Sequence, residues 1–169
     1  MRWPEKSKLE ELEINGFIKA YDLLTGRQLE VVLKGEKPDY VVRDKLSGKK
    51  YGVELTAVYL NDRSVPDEHM REVTGVVAIP YDEGEFEKYK ERLVSAIIEK
   101  VCKARKGYDS THLLILAIYV NEYVGIYLSK TEFEKLEQKN KAVFDDIAPF
   151  TEVVFWKYGN VDMHLVRLS

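Results

Sequence analysis

The sequence predicts an α/β domain, a central mixed β-sheet flanked by helices. Three observations predict it. Apolar residues recur at helical spacing in three long segments. Short runs rich in β-branched and aromatic residues stand between those segments. The two kinds alternate along the chain in the order αβββαββαββ, the pattern of one sheet with helices on its faces. At 169 residues and 45% hydrophobic content, the chain has material for one compact core and too little for two, so residues 1–169 are read as a single domain.

The first helix is expected from Lys6 to about Leu24, carried by Leu9, Leu12, Phe17, Ala20, Leu23 and Leu24. Ser7 is its expected cap, with Glu10 completing a capping box, and Thr25-Gly26 its stop. Strands follow over Gln28 to Lys34, Asp39 to Arg43 and Lys50 to about Leu60, the last two close enough for a hairpin. Between Asn61 and Gly84 the periodicity is lost, and so long a loop is expected to serve function. A long helix runs from Glu85 to about Lys106, and His112 to Val120 is apolar almost throughout, as a buried strand is. Tyr123 to Leu128 continues as a strand, Ser129 caps a helix to about Phe144, and strands at Glu152 to Lys157 and Val161 to Arg167 close the chain around Tyr158-Gly159-Asn160.

Composition removes several classes of function. No apolar run approaches the ~20 residues that span a bilayer, and no apolar segment follows the N-terminus as in a secretory signal. Cys102 is the only cysteine, which excludes an intrachain disulfide and fits a reducing, cytoplasmic setting. His69, His112 and His164 lack companions at zinc-ligand spacing. No glycine-rich phosphate-binding loop occurs. The net charge of −3 means that any nucleic-acid contact must come from a local basic patch or be assisted by a bound divalent cation.

The centre of interest is Lys37-Pro38-Asp39-Tyr40, closed by Gly52-Val53-Glu54-Leu55-Thr56. Asp39 opens one strand of the hairpin and Glu54 lies on the next, so their carboxylates can converge. Glu54 and Thr56, two residues apart, project from one face. Two carboxylates on adjacent strands, with water, make the hard-oxygen surroundings that magnesium or manganese prefers. Singly, Asp39 reads equally as a turn residue and Glu54 as an exposed strand residue. An acid inside a β run is disfavoured, however, and needs a reason.

Pro38-Asp39 followed by Glu54-x-Thr56, after a strand, a turn and a strand, resembles the PD-(D/E)XK nuclease superfamily, the restriction-endonuclease-like fold. The resemblance covers about Lys6 to Val120. It implies an αβββαβ core, here with a C-terminal αββ extension, and a magnesium- or manganese-dependent endonuclease acting on DNA. Asp39, Glu54 and the backbone carbonyl of Leu55 would hold the metal. The family's lysine position holds Thr56, which carries no charge and is left as a hydrogen-bonding auxiliary.

Two charges on apolar helix stripes bear on that gap. Glu13 falls inside the arc of Leu9, Leu12, Ala20, Leu23 and Leu24, where a carboxylate is costly without a partner. In the resembling family a first-helix acid often joins the metal site, so Glu13 is the expected further ligand. Lys100 falls within the arc of Phe86, Tyr89, Leu93, Ala96, Ile97, Val101 and Ala104, and members of the superfamily exist that draw the lysine from this helix. Lys100 is therefore the expected source of the missing charge, with Lys49 and Lys50 as competitors. Snorkelling to solvent is the other reading of both Glu13 and Lys100.

Lys103, Arg105 and Lys106 extend a basic cluster that could track a phosphate backbone or simply solvate a helix end. Two rival readings stand beside the nuclease: a catalytically inactive domain of the same fold that binds nucleic acid or protein, favoured by Thr56, and a homodimer paired through a sheet edge near the C-terminus.

Overall fold

Six strands pair side by side in the order β1-β2-β3-β4-β5-β6, so neighbours in sequence are neighbours in space, and connection length decides their direction. A computed structural model of the chain describes residues 5–59, 83–109, 111–120 and 128–157 and the strand 164–167. Helix α1 (Lys6–Thr25) is followed by β1 (Leu29–Lys34), β2 (Tyr40–Asp44) and β3 (Lys50–Val58). Short turns join these three strands, which pair antiparallel. Helix α2 (Glu83–Arg105) lies between β3 and β4 (Leu113–Val120), and α3 (Lys130–Lys139) with the short α4 (Lys141–Phe144) lies between β4 and β5 (Phe150–Trp156). Both of these pairs are parallel, as helical crossovers require. β6 (His164–Arg167) returns antiparallel to β5. The fold is thus α/β, with a mixed sheet between helices.

The central strands are covered on both faces and read as apolar runs for that reason. On one face α1 packs Ile14, Phe17 and Tyr21 against Val53, Leu55, Ala117, Tyr119 and Trp156. On the other, α2, α3 and α4 cover Leu114, Leu116, Ile118, Val153 and Phe155. Alternation along β3 therefore turns Val53 and Leu55 toward α1, and Glu54 and Thr56 toward α2.

Three local expectations need correction. Glu5, not Ser7, is the N-cap of α1, with no side-chain capping bond; Ser7 lies within the first turn. The buried stripe of α1 is Glu13, Ile14, Phe17, Ala20 and Tyr21, while Leu23 and Leu24 are 69% and 39% exposed. The helix ends at Gly26 as expected, in the left-handed conformation at φ 75°, its N–H bonded to Asp22 O at 2.8 Å. The helix expected to reach Phe144 is interrupted at Asn140, whose Nδ2 donates to Leu136 O. Its start is as read: Ser129 Oγ accepts the N–H of Glu132 at 3.3 Å. The strand expected over 123–128 lies outside the described residues but for Leu128, which is buried and outside any strand, and the turn at 158–160 and the loop over 61–82 lie wholly outside them; Glu83 and Gly84 already belong to α2.

On the α1 face a buried polar cluster joins three elements. Glu152 of β5, 6% exposed, accepts Tyr21 Oη on Oε2 at 2.5 Å. Its Oε1 faces Arg27 Nη1 at 3.5 Å. The same guanidinium hydrogen-bonds Tyr21 Oη and lies over the Tyr51 ring at 4.9 Å. At the outer edge, β1 exposes Val31, Val32 and Leu33, and its register against β2 shifts by one residue between Val31 and Leu33, a β-bulge. Among the described residues no helix is long and apolar enough to cross a membrane.

Candidate functional site

The site is built where β2 starts late. β2–β3 pairing ends at Tyr40 opposite Val53, leaving Asp39 just ahead of the strand. The Pro38 ring fills the space that a side chain on β3 would need. A Cβ on Gly52 would sit 2.7 Å from Pro38 Cγ and 2.6 Å from Leu114 Cδ2. The turn is closed by Gly35 N–H donating to Asp39 O at 2.7 Å. So folded, it brings Asp39 Oδ2 to 2.8 Å from the Leu55 N–H. That amide points to the edge that β2 has vacated. In an extended strand the N–H and C=O of one residue share an edge, so the Leu55 carbonyl opens beside the Asp39 carboxylate.

Glu54, one residue back, turns to the α2 face and is 3% exposed. Its Oε1 accepts two hydrogen bonds, from Lys100 Nζ at 2.7 Å and from Tyr108 Oη at 2.6 Å. Its Oε2 is buried and has no partner among the described residues. Lys100 comes from the buried side of α2, between Ile97 and Val101, which belong to the core; its side chain retains 20% exposure. Tyr108 follows α2 in a turn that is pinned to the Pro38 turn, since the Asp109 N–H donates to Lys37 O at 3.2 Å. The Tyr108 ring meets Phe150 edge-on at 6.4 Å.

Electrostatics follow from this packing. Burial raises the Asp39 carboxyl to about 6, the Glu54 charge adds to the rise, and the Leu55 N–H and Lys100 oppose it. A buried and a half-buried carboxylate with one ammonium leave a site short of positive charge, which is the condition a cation relieves. The Tyr108 phenol is pushed upward by burial and then by its bond to Glu54, and so stays a proton donor.

The other expected site residues divide. Thr56 is half-buried on the same face of β3, two residues beyond Glu54. Glu13 is buried, but on the α1 side, where its Oε1 accepts Tyr59 Oη at 3.2 Å. Burial raises it to about 7; the Tyr59 bond opposes this, and the charges of Glu10 and Asp39 add to it. Glu13 thus feels Asp39 without joining Glu54. Among the described residues no three His, Cys, Asp or Glu side chains form a metal-holding group. Glu13, expected to contact the metal directly or through water, thus stands on the α1 face of the sheet and Glu54 on the α2 face.

Lys103 is exposed and paired with Glu99 at 2.6 Å. Arg105 donates to Ala148 O at 2.8 Å and Asp146 Oδ1 at 2.7 Å, a clasp on the turn before β5. Lys106 is exposed and lines, with Arg105, Tyr108 and Pro149, a depression of about 470 Å³. The competing lysines stay apart: Lys49 and Lys50 are exposed, and Lys49 Nζ lies 5.7 Å from the Tyr51 ring centre. Sequence pattern does not single out Tyr108, one of eleven tyrosines in the chain. Its only signal was position, just past the helix that carries Lys100.

Comparison with protein-family models, with curated proteins and with solved structures returns no match.

Proposed function

We propose that the chain is a nuclease dependent on magnesium or manganese, hydrolysing phosphodiester bonds of DNA, and a relative of the PD-(D/E)XK enzymes whose lysine has moved from strand to helix. The observation that carries this reading is the contact of Lys100 Nζ with Glu54 at 2.7 Å. A helix lysine with no sequence proximity to the acid fills the place that Thr56 leaves without charge.

The donor set fits a hard divalent cation: the Asp39 carboxylate, the free Oε2 of Glu54 and the carbonyl of Leu55. Magnesium is commonly held by one or two carboxylates with waters completing its shell, so a cage of three acids is not required. A bound cation would acidify a water and neutralise charge on the phosphoryl oxygens. The chain's own groups do the rest. Lys100 would hold the attacking water or a phosphoryl oxygen with its ammonium. The Thr56 hydroxyl offers a further hydrogen bond on the same face. Lys106 and the depression beside Tyr108 give the phosphate backbone a place to lie, with exposed Lys103 one turn away.

The test is cleavage of plasmid and single-stranded DNA, with RNA in parallel, under millimolar magnesium or manganese. Wild type should cleave, while Lys100→Ala should lose activity by at least ~100-fold, the scale of removing one electrostatic donor, and remain folded. Full activity in Lys100→Ala would remove that residue from the mechanism. The rival reading, an inactive binding domain, has Thr56 in its favour. Wild type stabilised by manganese but without hydrolysis on any of the substrates would establish it.

A further inference from the structure

We infer that Tyr108 is a positioning residue that selects the cation: by holding Oε1 of Glu54 it presents Oε2 alone, a one-oxygen ligand suited to magnesium or manganese and unsuited to calcium. This rests on the metal-binding reading above. The two oxygens of Glu54 are treated unequally. Oε1 receives Lys100 at 2.7 Å and Tyr108 at 2.6 Å, which fills its acceptor capacity, while Oε2 is buried with no partner among the described residues. A small octahedral ion takes carboxylates through single oxygens at about 2.0–2.1 Å, whereas calcium takes more oxygens, often both of one carboxylate, at about 2.3–2.6 Å.

Of the two donors, Tyr108 is the fixed one. Lys100 reaches Glu54 on a four-carbon stem with some exposure to water, and can swing toward substrate. Tyr108 is held by its ring against Phe150 and by the backbone bond of Asp109 to Lys37. The Lys37 turn also carries Asp39. One hydroxyl therefore ties the orientation of Glu54 to the placement of the second carboxylate, and a group far from the acids in sequence decides how many oxygens they offer.

The experiment is titration of magnesium, manganese and calcium, each alone, into wild type and Tyr108→Phe, read by calorimetry and by the shift in melting temperature. Phenylalanine keeps the ring contact with Phe150, and the metal-free melt of the variant verifies its fold. Asp39→Asn serves as the control without a site. The expected result is that wild type prefers manganese to calcium. In Tyr108→Phe that ratio should fall about fivefold, the effect of one hydrogen bond, chiefly through tighter calcium. An unchanged ratio, with all three metals weakened equally, would overturn the inference and leave the metal site standing. No binding of any metal to wild type would overturn both.

Discussion

Two buried glutamates in this molecule have the same company and opposite meanings. Glu152, under α1, and Glu54, under α2, each sit in the sheet with a tyrosine hydroxyl and a cationic side chain. At Glu152 both oxygens are engaged: Tyr21 on one, Arg27 on the other, with the guanidinium further spread over Tyr51. That cluster is satisfied by the chain, and its work is to fasten the end of α1 to β5. At Glu54 the same two kinds of donor crowd onto one oxygen and leave the other bare. A buried charge is therefore no sign of a site in itself. An unevenly satisfied carboxylate, beside a second acid that burial and the first acid's charge hold near 6, is one.

Neutralising each acid would break or sharpen this contrast. Glu152→Gln should cost the most, about 3 kcal/mol in chemical unfolding, because Arg27 loses a desolvated partner; the manganese-induced rise in melting temperature should survive. Stability within ~0.5 kcal/mol of wild type would mean that the cluster fastens nothing. Next comes Gly52→Ala, where the new Cβ meets Pro38 and Leu114. A loss of about 2 kcal/mol is expected from overpacking, together with weaker metal binding as the Asp39 turn is pushed off β3. Unaltered metal affinity would detach Gly52 from the site.

Glu13 is the intermediate case, a buried acid raised from 4.5 to about 7. Its charged form is disfavoured in the folded state, so its penalty is absent below pH ~4, grows as pH rises toward 7, and is complete above it. Glu13→Gln should thus be more stable than wild type at pH 8, by on the order of 1–2 kcal/mol, and equal to it near pH 4. A gain that is the same at both pH values would contradict this. Smallest in its effect on the metal-free protein is Glu54→Gln, at less than about 1 kcal/mol, because Asp39 is relieved of a like charge. The same change should abolish the manganese shift. A retained shift would move the cation site elsewhere.

The fold was legible wherever periodicity had one cause. β3, β4 and α2 were read nearly to their ends because the central strands, and one stripe of the helix, are mostly apolar. α1 misled because Leu23 and Leu24 continue its apolar count past the end of the sheet that would cover them, while Tyr21 and Glu13 lie buried through hydrogen bonds that a hydrophobic pattern does not weigh. The meeting of Lys100 with Glu54 could be anticipated, because a lysine on a core stripe and a strand motif lacking its charge explain one another. Tyr108 could not. Its role depends on a turn closing against Lys37, and tyrosine is as much at home in an ordinary core as in a site. The clasp of Arg105 on the turn before β5 was equally invisible: a basic residue at a helix end looks the same from sequence whether it faces solvent, phosphate or the next turn.

The bulge in β1 bears on how the molecule behaves in a crowd. Val31, Val32 and Leu33 form an apolar margin on β1, which among the described residues pairs on one side only. A flat margin of that kind would let sheets add end to end without limit. The extra residue at Val32 breaks the hydrogen-bond spacing in the middle of the strand, and Glu30 and Lys34 put charge at both of its ends. An approaching strand meets two short, mismatched segments in place of one long one. The bulge thus works against the lateral addition that a regular edge would invite.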